Sequence, residues 1–124
     1  MALIQPLILL DTNIALYFLG GRLVNPLPSG QYFISVITEI ELLSYPSFSL
    51  EEETQIIDFL NKIRVVGVDN NIKNLTIEFR KQYKLRLPDA IIVATAKYLN
   101  AILFTNDIRL ARLIEINTQT VQIV

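Results

Sequence analysis

Pro6-Leu7-Ile8-Leu9-Leu10-Asp11-Thr12-Asn13-Ile14-Ala15-Leu16-Tyr17-Phe18-Leu19 is an apolar run that breaks at three polar residues and resumes with helical spacing. A strand buried on both faces reads as such an uninterrupted run, and a polar break leading into a helix is the turn of a parallel sheet. Open parallel sheets gather ligands at the carboxyl ends of their strands, so Asp11 stands where such a fold does its chemistry. Asp, Thr and Asn are also good helix caps. The triplet alone does not choose between cap and site; acids at equivalent places must decide.

The totals narrow the field. A chain of 124 residues that is 52% hydrophobic and 19% charged reads as one folded domain over residues 1–124. No apolar run reaches the roughly 18 residues of a membrane helix. Met1-Ala2-Leu3-Ile4-Gln5-Pro6 carries no basic segment, so no signal peptide is expected and a cytoplasmic location is the default. With no Cys and no His, thiolate nucleophiles, histidine triads and Cys/His zinc sites are excluded. If the chain is an enzyme, carboxylates carry the work, and all-oxygen sites favour Mg²⁺ or Mn²⁺. A net charge of -1 argues against coating nucleic acid by bulk positive charge.

Outward from the first turn, Gly20-Gly21 ends the first helix and residues 22–30 form a loop rich in Pro and Gly. Tyr32-Phe33-Ile34 is a second strand, and Ser35 caps a helix to about Ser44 with Val36, Ile37, Ile40 and Leu43 on one apolar face. Glu39 and Glu41 border that face symmetrically, and periodicity does not say which turns toward a site. Ser49 with Glu51-Glu52-Glu53 starts a third helix carrying Ile56, Ile57, Leu60 and Ile63. Arg64 to Val68 is a third strand, and Asp69 caps a helix with Ile72, Leu75, Ile77 and Phe79 as its apolar set. Arg80, Lys81, Lys84 and Arg86 then concentrate positive charge. They suit either a phosphate-contacting patch or the C-terminal end of their own helix.

From Pro88 the chain is apolar on almost every side, which predicts a deeply packed helix with Asp89 in its first turn. Ala101 to Phe104 is another buried strand, breaking at Thr105-Asn106-Asp107 before a short helix from about Arg109, and Val121 to Val124 reads as a last strand. Right-handed crossovers bring strand carboxyl ends and the following helix starts to one edge. Asp11, Asp89, Asp107 and one glutamate therefore share an edge on which two or three carboxylates can converge. Converging carboxylates repel unless a cation joins them. Bound Mg²⁺ would also activate water and offset charge on a phosphoryl group.

Four blocks, Leu9-Leu10-Asp11-Thr12-Asn13, Ile34 through Leu42, Leu87 through Ala96, and Phe104-Thr105-Asn106-Asp107, together resemble a PIN domain of the VapC toxin type over nearly the whole chain. The resemblance implies a three-layer α/β/α domain with a mostly parallel sheet. It also implies Mg²⁺- or Mn²⁺-dependent endoribonuclease activity, homodimers, and a cognate VapB antitoxin. Carried over by position, Asp11, Glu41, Asp89 and Asp107 match the family's catalytic, metal-binding acids. Glu41 is favoured over Glu39 because the family's acid follows three residues after the Thr at Thr38. Thr12, Asn13 and Thr105 match the supporting polar residues, while the chain departs at Leu110, where members often carry an aromatic. Lys84 and Arg86 are the candidates for RNA backbone contacts.

Two rivals stand beside this reading. A phosphatase or phospho-accepting receiver also puts acids at strand ends, but Asp11 has no acidic neighbour or acid two residues on, and no Lys follows Phe104. The other is a catalytically inactive module that kept the fold for binding; its mark would be failure to bind Mn²⁺.

Overall fold

The computed structural model describes residues 4–46 and 49–124; Met1, Ala2 and Leu3, where the N-terminal reading began, lie outside the described residues. The chain runs β1 (Leu7–Leu10), α1 (Thr12–Leu19), β2 (Gln31–Ser35), α2 (Val36–Leu43), α3 (Leu50–Lys62), β3 (Arg64–Val66), α4 (Asn70–Tyr83), α5 (Leu87–Leu99), β4 (Ile102–Phe104), α6 (Ile108–Ala111) and β5 (Asn117–Gln119). The strands pair in the order β3-β2-β1-β4-β5, and every pair is parallel. From β1 the chain steps outward to β2 and β3, then crosses back to add β4 and β5 on the other side of β1. The direction of winding therefore reverses between β1 and β4, the kind of place where an α/β sheet opens a crevice at its carboxyl edge.

Alternation along the strands builds two cores. Leu9, Phe33 and Leu103 face α4 and α5, packing with Ile72, Phe79 and Ile92. Ile8, Leu10, Ile34 and Phe104 face the opposite side, with Ile14 of α1 and, around them, Phe59 and Leu60 of α3. Ile8, Leu9 and Leu10 are at most 1% exposed, so β1 is covered on both faces, as its unbroken apolar run requires. The expected α/β/α layering is thus present, with helices on each side of a parallel sheet.

Local signals set the helix boundaries. Ser49 and Glu52 exchange side-chain and backbone bonds in a full capping box at α3. Pro88 sits in the first turn of α5, where a missing N–H costs nothing. Gly20 closes α1, and Gly21 follows at φ +67°, a conformation costly for any residue with a Cβ.

Four expectations need correction. The third strand ends at Val66 rather than Val68. The last strand is Asn117–Gln119 rather than Val121 to Val124. Asn106 explains the difference: its amide Nδ2 donates to the Val121 carbonyl and its Oδ1 accepts from the Val121 N–H, holding that segment beside the β4–α6 turn. Ile123 keeps only an isolated antiparallel bridge to Leu23. The apolar face read on α2 is not its buried face, since Ile40 and Leu43 are exposed while Thr38 and Leu42 are buried. α2 lies at the end of the sheet against α1 and α3, and its inward positions go to a hydroxyl and one leucine. Ile57 of α3 and Ile77 of α4 are likewise exposed at the edges of their stripes.

Candidate metal-binding acidic site

Asp11 follows β1 at the winding reversal. Its N–H donates to the carbonyl of Phe104 at 3.0 Å, continuing the β1–β4 ladder by one residue. Its carboxylate is held from both sides: Oδ1 accepts from the Thr12 N–H at 2.8 Å, and Oδ2 accepts from the Thr105 hydroxyl at 2.7 Å. Asp11 is therefore a helix cap and a strand-end acid at once, so the two readings of the triplet do not compete. Burial pushes its pKa upward; the bonds from Thr105 and Thr12 oppose the rise, and the charges of Asp89 and Asp107 add to it.

Thr12 ties Asp11 to the second acid. While its N–H holds Asp11, its hydroxyl donates to Glu41 Oε1 at 2.9 Å and shares a 2.9 Å bond with the Thr38 hydroxyl. Glu41 lies one helical turn beyond Thr38 on the same side of α2, and it is the glutamate drawn to the acidic edge. Glu39 enters no bond to the other acids.

The other half of the site lies around α6. The Thr105 hydroxyl that holds Asp11 also accepts from the Asp107 N–H at 3.1 Å, so one side chain fixes the distance between two acids. Asp107 caps α6 through the Arg109 N–H at 2.9 Å. Arg109 closes back on it with a fork, Nε to Oδ1 at 3.2 Å and Nη2 to Oδ2 at 2.8 Å. That pairing holds Asp107 below its ordinary carboxylate range, against a smaller opposing effect of burial. Arg109 Nη2 also reaches Asp89 Oδ2 at 3.3 Å, and Arg86 Nε approaches the same oxygen at 3.4 Å. Asp89 is 9% exposed, in the first turn of the most deeply packed helix.

Asp11, Glu41, Asp89 and Asp107 thus come to one edge, with Thr12 and Thr105 between them. Asn13 is exposed on α1 and takes no part in these bonds. Lys84 is exposed and ends α4 in a left-handed conformation (φ 56°), its N–H donating to the Arg80 carbonyl. Leu110 is fully buried in the core shared with α5. Sequence reading used Thr38 only as the landmark that selects Glu41, without a bonding role, and it missed Arg109. Thr38 was visible as a hydroxyl one turn before Glu41, and Arg109 as a cation two residues after Asp107.

The donor set fits a hard divalent cation in kind: the oxygens are carboxylates, and Asp11 is buried in the negative field of two others. Among the described residues no three acids are grouped so that they could hold an ion as they stand. Two of them are instead spanned by Arg109.

This chain belongs to the PIN domain family, which matches residues 8–115. No curated protein gives a significant match to the sequence. Among solved structures, a toxin-antitoxin complex from Klebsiella pneumoniae aligns at 29% identity and TM-score 0.72, covering 86% of this chain and 91% of that one. The VapBC2 complex of Rickettsia felis, bound to a promoter DNA fragment, aligns at TM-score 0.78 and 19% identity over 94% and 99% of the two chains. DNA-bound VapBC from Salmonella typhimurium gives TM-score 0.76 and 20% identity over 93% and 98%. The last two likenesses are of fold.

Proposed function

We propose that the chain is a metal-dependent endoribonuclease, the VapC-type toxin of a toxin-antitoxin pair. The observation that carries this reading is the bond chain Asp107–Thr105–Asp11–Thr12–Glu41, which ties three acidic residues together through two threonines beside the winding reversal of a PIN fold. Each carboxylate oxygen of Asp11 accepts one protein hydrogen bond and keeps lone-pair capacity for a cation. Asp11, Glu41 and Asp89 would hold Mg²⁺ or Mn²⁺, with Asp107 completing the set. A bound ion of this type supplies Lewis acidity, easing deprotonation of water and offsetting charge on the phosphoryl oxygens. The chain's own residues do the positioning. Thr105 and Thr12 fix the plane of the Asp11 carboxylate and Thr38 fixes Thr12, while Arg86, whose Nε lies 3.4 Å from Asp89 Oδ2, and Lys84 would contact the RNA backbone.

The partner side of the proposal rests on surface. α2 and α3 leave Ile40, Leu43 and Ile57 exposed, an apolar strip of the kind that a VapB-type antitoxin or a second copy of the chain would cover. Among the described residues no helix is long and apolar enough to cross a membrane, and we place the protein in the cytoplasm with its RNA substrate.

Asp89→Asn tests the reading: cleavage of RNA should be abolished while the circular dichroism spectrum and melting cooperativity stay those of the wild type. A cleaving Asp89→Asn protein contradicts it. Calorimetric titration separates the catalytically inactive module, for which the wild type would take up no Mn²⁺ at neutral pH.

A further inference from the structure

Arg109 is more than a local partner of its helix cap. Its contact with an Asp cap two residues before it would, alone, be an exposed ion pair of little worth. Here Nη2 extends past Asp107 and reaches Asp89, twenty residues away on another helix, so one guanidinium joins two acids of the site. Both of the fork's oxygens on Asp107 are engaged, and the Asp89 oxygen it meets is also the one nearest Arg86. A planar guanidinium suits such a role because its donors are fixed in a fork and its charge does not titrate away. The Arg109 side chain is 59% exposed, so water can replace the carboxylates around it when it leaves.

We infer that Arg109 is a built-in counter-cation, a positioning residue that holds Asp89 and Asp107 together in the metal-free protein and gives them up to a divalent ion. The inference rests on the metal-dependent reading above. It accounts for two acids of the site meeting on one guanidinium while, among the described residues, no three acids are grouped so that they could hold an ion. Two cations of different geometry compete for the same oxygens. The arginine braces the pair from the exposed side, and an ion would have to draw the carboxylates off it.

Competition has a sign that support does not. If Arg109 merely organised the donors, its removal would weaken metal binding; if it competes, removal strengthens it. Isothermal titration of Mn²⁺ into wild type, Arg109→Ala and Arg109→Lys at neutral pH reads this directly. The loss of one partly exposed ion-pair network predicts Mn²⁺ affinity about fivefold tighter in Arg109→Ala. Arg109→Lys keeps the charge without the fork and should fall between. Melting without metal, which confirms that each variant folds, should show Arg109→Ala less stable than wild type and more strongly stabilised by added Mn²⁺. Equal or weaker Mn²⁺ affinity in a folded Arg109→Ala protein overturns the inference and leaves the nuclease reading standing. Failure of wild type and variants alike to bind Mn²⁺ overturns both.

Discussion

Asp11 and Asp107 stand within a few residues of adjacent strand ends and share the Thr105 hydroxyl group, yet their charges are handled in opposite ways. Asp11 is buried and bonded by neutral donors alone, and its pKa is raised by desolvation. Asp107 is partly exposed, clasped by an arginine, and its pKa is lowered. The first arrangement keeps a carboxylate fixed while leaving its charge under-compensated, and the second compensates the charge at the rim. A site that must receive a cation needs the first kind of acid at its centre. The second kind holds the edge of the site together without one.

The Thr105 hydroxyl is the one group that both acids share. Thr105→Val leaves both Asp11 Oδ2 and the Asp107 N–H without their partner, and the fold should lose about 1–3 kcal/mol by urea denaturation. Cleavage by the same variant should fall about 10–100-fold, the usual cost of freeing a metal-binding group from its outer support. Asp11→Asn should do the reverse to stability, raising it by roughly 1 kcal/mol at pH 7 because a costly buried charge is removed. The sign follows from the raised pKa. Folded protein holds the Asp11 proton more tightly than unfolded protein, so this contribution to stability is complete below the ordinary value of 3.8 and is lost as pH rises through the folded value. The gain from Asp11→Asn should therefore grow with pH across that window in paired melting curves.

Thr38→Val should cost about 1 kcal/mol, since Thr12 keeps its bond to Glu41 and loses only one buried partner. Asp107→Asn should change stability least. Its lowered pKa stabilises the fold above the ordinary carboxylate value and loses that contribution as pH falls through the folded one. Because its partner is exposed, the difference should shrink in high salt.

The parallel sheet and the strand-end acids were legible because β1 and β4 are apolar runs cut short by an acid, a pattern set by burial on both faces. The acids could be located but not partnered. Periodicity placed Glu39 and Glu41 symmetrically about Ile40, whereas the fold turns Ile40 and Leu43 outward and lets the Thr12 hydroxyl, itself held by Thr38, choose Glu41. Hydroxyl partnership depends on how α1 meets α2, which no spacing within α2 encodes. Arg109 was hidden for the same reason: its reach to Asp89 exists only once α6 lies beside α5. β5 was misplaced because Asn117-Thr118-Gln119 has no apolar signal, and an edge strand with polar side chains needs only its neighbour's backbone.

The most direct measurement is to incubate purified protein with mixed cellular RNA in Mg²⁺ or Mn²⁺ and in EDTA, beside Asp11→Asn. Discrete fragments that require both the metal and Asp11 are the predicted result. Absence of cleavage by folded, Mn²⁺-loaded wild type, or fragments that persist with EDTA or with Asp11→Asn, would contradict a metal-dependent nuclease centred on Asp11.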